Sequence, residues 1–84
     1  MKWSSGNVAL RQALAAFEAT FPDDHFMIGY GALEVGRALV DREALDEARP
    51  LLERAQRLIG ATDRPDAAER LAAADSLLRR TRPS

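Results

Sequence analysis

His25 closes the segment Phe21-Pro22-Asp23-Asp24-His25. Here an imidazole follows two carboxylates, the pairing that metal binding or acid–base chemistry would use. A metal site needs three or four converging ligands, and His25 is the only histidine in 84 residues. Cysteine is absent, which excludes disulfides, thiolate nucleophiles and Cys-ligated zinc. Asp23, Asp24 and His25 therefore read first as a loop that starts a helix. Gly29-Tyr30-Gly31 with Gly36 lacks the GxGxxG spacing and the preceding strand of a phosphate loop. Asp41-Arg42-Glu43 with Asp46-Glu47 is acidic enough to attract a cation, but a solvated turn and first-turn carboxylates account for it. Ser4, Ser5 and Ser76 have no histidine partner in view, so no activated nucleophile is indicated. The expectation is a chain without catalytic residues, metal or cofactor, and not an enzyme.

Net charge is −1, from 12 basic and 13 acidic residues, which excludes a strongly basic nucleic-acid binder. The distribution is uneven. Residues 22–53 hold three basic and eight acidic groups, and residues 54–84 hold seven and four. Arg79, Arg80 and Arg82 form a basic tail suited to a helix C-terminus or an anionic surface. No apolar run approaches the roughly 20 residues that cross a bilayer. Met1–Asn7 has no long apolar stretch, so no signal peptide is expected and the expected location is cytoplasmic.

The elements that must position these residues are helical. Apolar residues make up 46%, mostly 16 Ala and 11 Leu, against five Val plus Ile. That mixture favours helix over strand. Apolar residues at helical spacing predict an all-α domain over 1–84, with four antiparallel helices at about residues 5–19, 25–40, 44–59 and 65–80. Asp23 or Asp24 is the expected cap of the second helix, and Asp63 that of the fourth, with Pro65 in its first turn. Pro50 should lie near the start of the third, and Gly60 should end it. Gly29, Gly31 and Gly36 each cost about 1 kcal/mol in a helix against Ala, so another segment should approach closely there.

An internal period of 42 residues aligns Leu10-Arg11-Gln12-Ala13 with Leu52-Glu53-Arg54-Ala55. Two helices per period of this length are the mark of a helical solenoid. Gly36, Ala48 and Ala55 fall at the small-residue positions of the tetratricopeptide repeat, which this chain resembles, and Leu52 at its aromatic-or-Leu position. Asp46 to Ala55, with Pro50 inside it, is similar to the second helix of the long-period, kinesin-light-chain-like variety. Bacterial Ser/Thr kinases and regulators often carry that variety. Two residues depart from the pattern. Glu43 stands where the family usually has a turn glycine, and Ala32 where the founding consensus has Trp.

The resemblance implies one full repeat flanked by two half-repeats, a TPR-like solenoid fragment. It also implies a groove lined by the first helix of each unit. On this chain those positions are Tyr30, Leu33, Glu34, Arg37 and Asp41. Leu33 and Arg37 stand where the family's carboxylate clamp has Lys or Arg and Asn, so the clamp is not preserved. Trp3, Val8, Leu10, Leu14 and Phe17 offer more apolar surface than one neighbouring helix can cover. Self-association or docking through the first helix is therefore expected, with Trp3 in the contact. The fourth helix, with Asp66, Glu69, Arg70, Ser76 and Arg79 outward, is expected to act as a polar cap. The implied function is a protein–protein interaction module, an adaptor or scaffold for a protein or peptide partner. Two alternatives stand beside it. One is a regulatory nucleic-acid or anionic-surface binder using the basic C-terminal helix. The other is a detached end of a longer repeat protein with no activity of its own.

Overall fold

The structure is a computed structural model that describes residues 5–82. Among the described residues four helices follow one another: α1 (Ser5–Thr20), α2 (Phe26–Asp41), α3 (Leu45–Gly60) and α4 (Ala67–Arg80). The fold is all-α, and neighbouring helices pack as antiparallel hairpins. Helix bounds agree with the sequence pattern within two residues. Trp3 lies outside the described residues, as do the side chains of Val8 and Leu10.

His25, not Asp23 or Asp24, caps α2. Its Nδ1 accepts from the Met27 N–H at 3.1 Å. The ring is also held by stacking on Phe21 at 4.4 Å and by Phe26 at 4.5 Å. The opposite end of α2 closes in a Schellman turn. The Glu43 N–H donates to the Val40 carbonyl at 2.9 Å and the Ala44 N–H to the Leu39 carbonyl at 2.8 Å. Such a turn needs a left-handed residue, and Glu43 takes that conformation at φ 62°. Gly60 does not play this role for α3. Its φ is not positive, and the helix ends through Ala61.

Pro50 is exposed in the second turn of α3, not the first, where its missing N–H leaves a helical hydrogen bond unmade. The α4 helix starts later than Pro65, because the backbone turns through Arg64-Pro65-Asp66 before the first helical residue, Ala67. Asp63 is exposed, and Asp66 occupies the N-cap position.

The α2 helix is the centre of the molecule. It packs against α1, α3 and α4, and nine of its sixteen residues are buried. Ile28, Leu33, Val35 and Leu39 meet Leu52 and Ile59 in the core. The glycines of α2 mark the close contacts. A β-carbon on Gly29 would fall 2.8 Å from Leu58 Cβ, and one on Gly31 would fall 2.8 Å from Phe17 Cδ2. Side chains, more than backbone, occupy the space the glycines leave.

One spacing joins alternate helices. Arg11 pairs with Glu47 at 2.5 Å and Glu18 with Arg54, linking α1 to α3. Tyr30 donates to Asp66 at 2.7 Å and Glu34 faces Arg70 at 3.9 Å, linking α2 to α4. Each pair is 36 residues apart, so α3 lies beside α1 in the same parallel register as α4 beside α2. Exposed ion pairs contribute only about 0–1 kcal/mol each. Their repetition is informative about register more than about stability.

Candidate binding groove

The side of α2 left open by α3 carries a groove walled by α1 and α4. Its floor is apolar, with Leu14, Phe17, Gly31 and Val35 beneath Ala13, and its rim is Tyr30, Glu34 and Arg70. The hollow measures about 320 Å³, near the small end of pockets that take small ligands, roughly 300–1,000 Å³. Farther along the α2–α4 seam a second hollow of about 310 Å³ is lined by Arg37, Asp41, Ala73, Ser76, Leu77 and Arg80. Arg37 of the second hollow reaches back to within 3.8 Å of Glu34 on the rim of the first.

Tyr30, Glu34, Arg37 and Asp41 thus lie on one face of α2, as the spacing of 4, 3 and 4 residues requires. Leu33 does not belong to that face. It is fully buried in the core, and this corrects the sequence-based assignment. On a helix with 100° per residue it sits roughly 60° from Tyr30, toward the neighbours that cover it. The groove also draws on residues the sequence reading placed elsewhere. Asp66 and Arg70 point to α2, not outward from a cap, and Ser76 lines the second hollow. The signal that identifies Asp66 and Arg70 is the 36-residue spacing that repeats between alternate helices.

Tyr30 is fixed from two sides. Its hydroxyl donates to Asp66 Oδ1, and the Arg70 guanidinium lies 4.4 Å from its ring centre. The other oxygen of Asp66 accepts from Arg70 Nε at 3.3 Å, and Arg64 Nε stands 3.6 Å from Oδ1. With both oxygens engaged, the Asp66 carboxylate does not cap its own helix. The Tyr30 hydrogen bond, helped by Arg70, holds the Asp66 carboxyl below its ordinary value although partial burial pushes the other way. Partial burial and then the bond to Asp66 raise the Tyr30 phenol. Arg64 covers the Phe26 ring at 4.4 Å, which extends an aromatic row from Phe17 through Phe21, His25 and Phe26 to Tyr30.

Other surfaces offer less. His25 lines a small hollow with Asp24, Phe26 and Thr62, but its Nδ1 is already engaged as the helix cap. Among the described residues no three His, Asp or Glu side chains gather as metal ligands. No described helix is long and apolar enough to cross a membrane. Arg79 is engaged with Asp75 at 2.7 Å. On α1, α2 covers Leu14 and half-buries Phe17, so the described outward face is Ala9, Gln12, Ala16 and Ala19 among charged residues. The expected open apolar face therefore does not include Leu14. Comparison with protein-family models, with curated proteins and with solved structures found no match to this chain.

Proposed function

We propose that the chain is a protein-interaction module that takes a segment of a partner protein into the groove between α1, α2 and α4. The observation that carries this reading is the apolar hollow with Tyr30 at its edge, already held by Asp66 and Arg70. An apolar centre with an aromatic and an Arg at its margin is the composition of binding hot spots. Holding Tyr30 in place beforehand reduces the ordering cost of binding. The resemblance to tetratricopeptide repeats supports the α2 and α4 side of this groove, because that family uses its first helices to line one; the α1 wall lies outside what the resemblance implies. The proposal assigns no reaction to this surface.

Ala13 is exposed and lines the groove, so Ala13→Trp should fill the hollow without disturbing the core. Peptides selected from a random display library against the wild-type chain should lose binding to A13W. Selected peptides that bind A13W as well as wild type would place recognition elsewhere.

A further inference from the structure

The two halves of α4 are held by different forces. Its C-terminal half buries Ala74, Leu77 and Leu78. Beyond it, Arg49 of α3 donates to the Thr81 carbonyl and, from Nε, to Thr81 Oγ1 at 3.4 Å. The Thr81 hydroxyl in turn donates to the Leu78 carbonyl at 2.7 Å. Of the apolar residues in the N-terminal half only Ala67 is buried, with Leu71 and Ala73 partly so. Its attachment to α2 runs through polar groups: Tyr30 to Asp66, Arg70 over the Tyr30 ring, and Arg70 toward Glu34. The connection that precedes it, residues 61–66, has no regular helix. A segment with few buried apolar contacts and exposed polar ties belongs to the low-stability end of a fold.

We propose that the N-terminal half of α4 is a movable wall of the groove, latched by the Tyr30–Asp66 hydrogen bond and pivoting on the C-terminal half, which Ala74, Leu77, Leu78 and the Arg49–Thr81 clasp anchor. Arg70 forms the lip of the groove and stands on that half, so release of the latch widens the hollow and uncovers the Tyr30 ring. Asp66 is then a positioning residue. It sets the width of the groove without lining it, and a partner side chain too large for the closed hollow is admitted by opening the latch. This inference rests on the groove reading above, but its test needs no partner.

The absence of native cysteine allows two spin labels to be placed uniquely. Gln12→Cys on α1 and Glu69→Cys on α4 are both exposed and neither lines the groove. In this double-cysteine background Tyr30→Phe removes the latch and keeps the ring, and Asp66→Ala removes the acceptor. Each should add a longer-distance population with helical circular dichroism preserved. Asp66→Asn keeps an acceptor for the Tyr30 hydroxyl and should restore much of the closed distance. Amide hydrogen exchange on the wild-type chain keeps the question decidable if a variant unfolds: amides of residues 70–73 should exchange faster than those of residues 77–80. Unchanged distances in folded Tyr30→Phe and Asp66→Ala, or equal exchange in both halves of α4, would overturn the latch. Neither result bears on whether peptides bind the groove.

Discussion

Gly36 lies against Leu52 so closely that a β-carbon on Gly36 would stand 2.6 Å from Leu52 Cδ2. Leu52 is fully buried, and its Cγ as well as its Cδ2 would lie within 2.8 Å of the added carbon. Gly36→Ala should gain helix propensity of about 1 kcal/mol, yet overpacking at such sites costs about 1–3 kcal/mol. The expected net is a loss of about 1 kcal/mol, read as a lower urea midpoint, with Gly36→Leu far worse. Gly60 provides the contrast. Its added β-carbon would find Leu71 at an ordinary 3.7 Å and the backbone is not left-handed. Gly60→Ala should therefore stabilise by about 0.5–1 kcal/mol.

Glu43 occupies the left-handed corner that ends α2. That conformation costs an L-residue about 1–2 kcal/mol relative to its usual basin, and glycine recovers part of it. Glu43→Gly should raise the thermal midpoint, by about 0.5–1 kcal/mol of stability. Glu43→Val should lower it. An unchanged midpoint in both would show that the turn tolerates either backbone.

The cap of α2 is a ring nitrogen, not a carboxylate. His25→Ala should cost about 1 kcal/mol and loosen the contact with Phe21. Asp23→Ala and Asp24→Ala should stay within about 0.5 kcal/mol of wild type. Chemical denaturation of the three variants ranks them directly, and a larger loss at Asp23 or Asp24 would return the cap to the carboxylates.

The Tyr30–Asp66 bond predicts two pH limits of opposite sign. Asp66 titrates below its ordinary 3.8 in the folded chain, so its contribution is full above that value and is lost as the pH falls through the lowered one. Tyr30 titrates above its ordinary 10.0, so its contribution is full below that value and is lost as the pH rises through the raised one. Thermal midpoints across pH should show the acid component missing from Asp66→Asn and the alkaline component missing from Tyr30→Phe. Wild-type acid dependence in Asp66→Asn would mean that other carboxylates carry it.

The four helices were legible because Ala and Leu recur at helical spacing and the Pro and Gly positions punctuate them. Helix ends were less so. The cap of α2 moves one or two residues, from Asp23 or Asp24 to His25, and the N-cap position of α4 moves three, from Asp63 to Asp66, because packing sets where each helix begins. Tyr30, Glu34, Arg37 and Asp41 were implied by the tetratricopeptide resemblance, and their helical spacing puts them on one face. Leu33 escaped the pattern because α2 is surrounded on three sides, so its buried arc is wider than one stripe. Asp66 and Arg70 read as outward charges until α4 is placed beside α2. The repeated 36-residue spacing marks the pairing only once the helices are known to alternate in register.

The central claim is that the groove is the binding surface, and chemical-shift mapping with a display-selected peptide tests it most directly. Titration into the isotope-labelled chain should move the amides of Ala13, Gly31, Glu34 and Arg70 first, with Arg37 following if the peptide extends along the seam. Shifts confined to the outer α3–α4 face, at Gln56, Leu71 and Ala72, or to the outward face of α1 would contradict it.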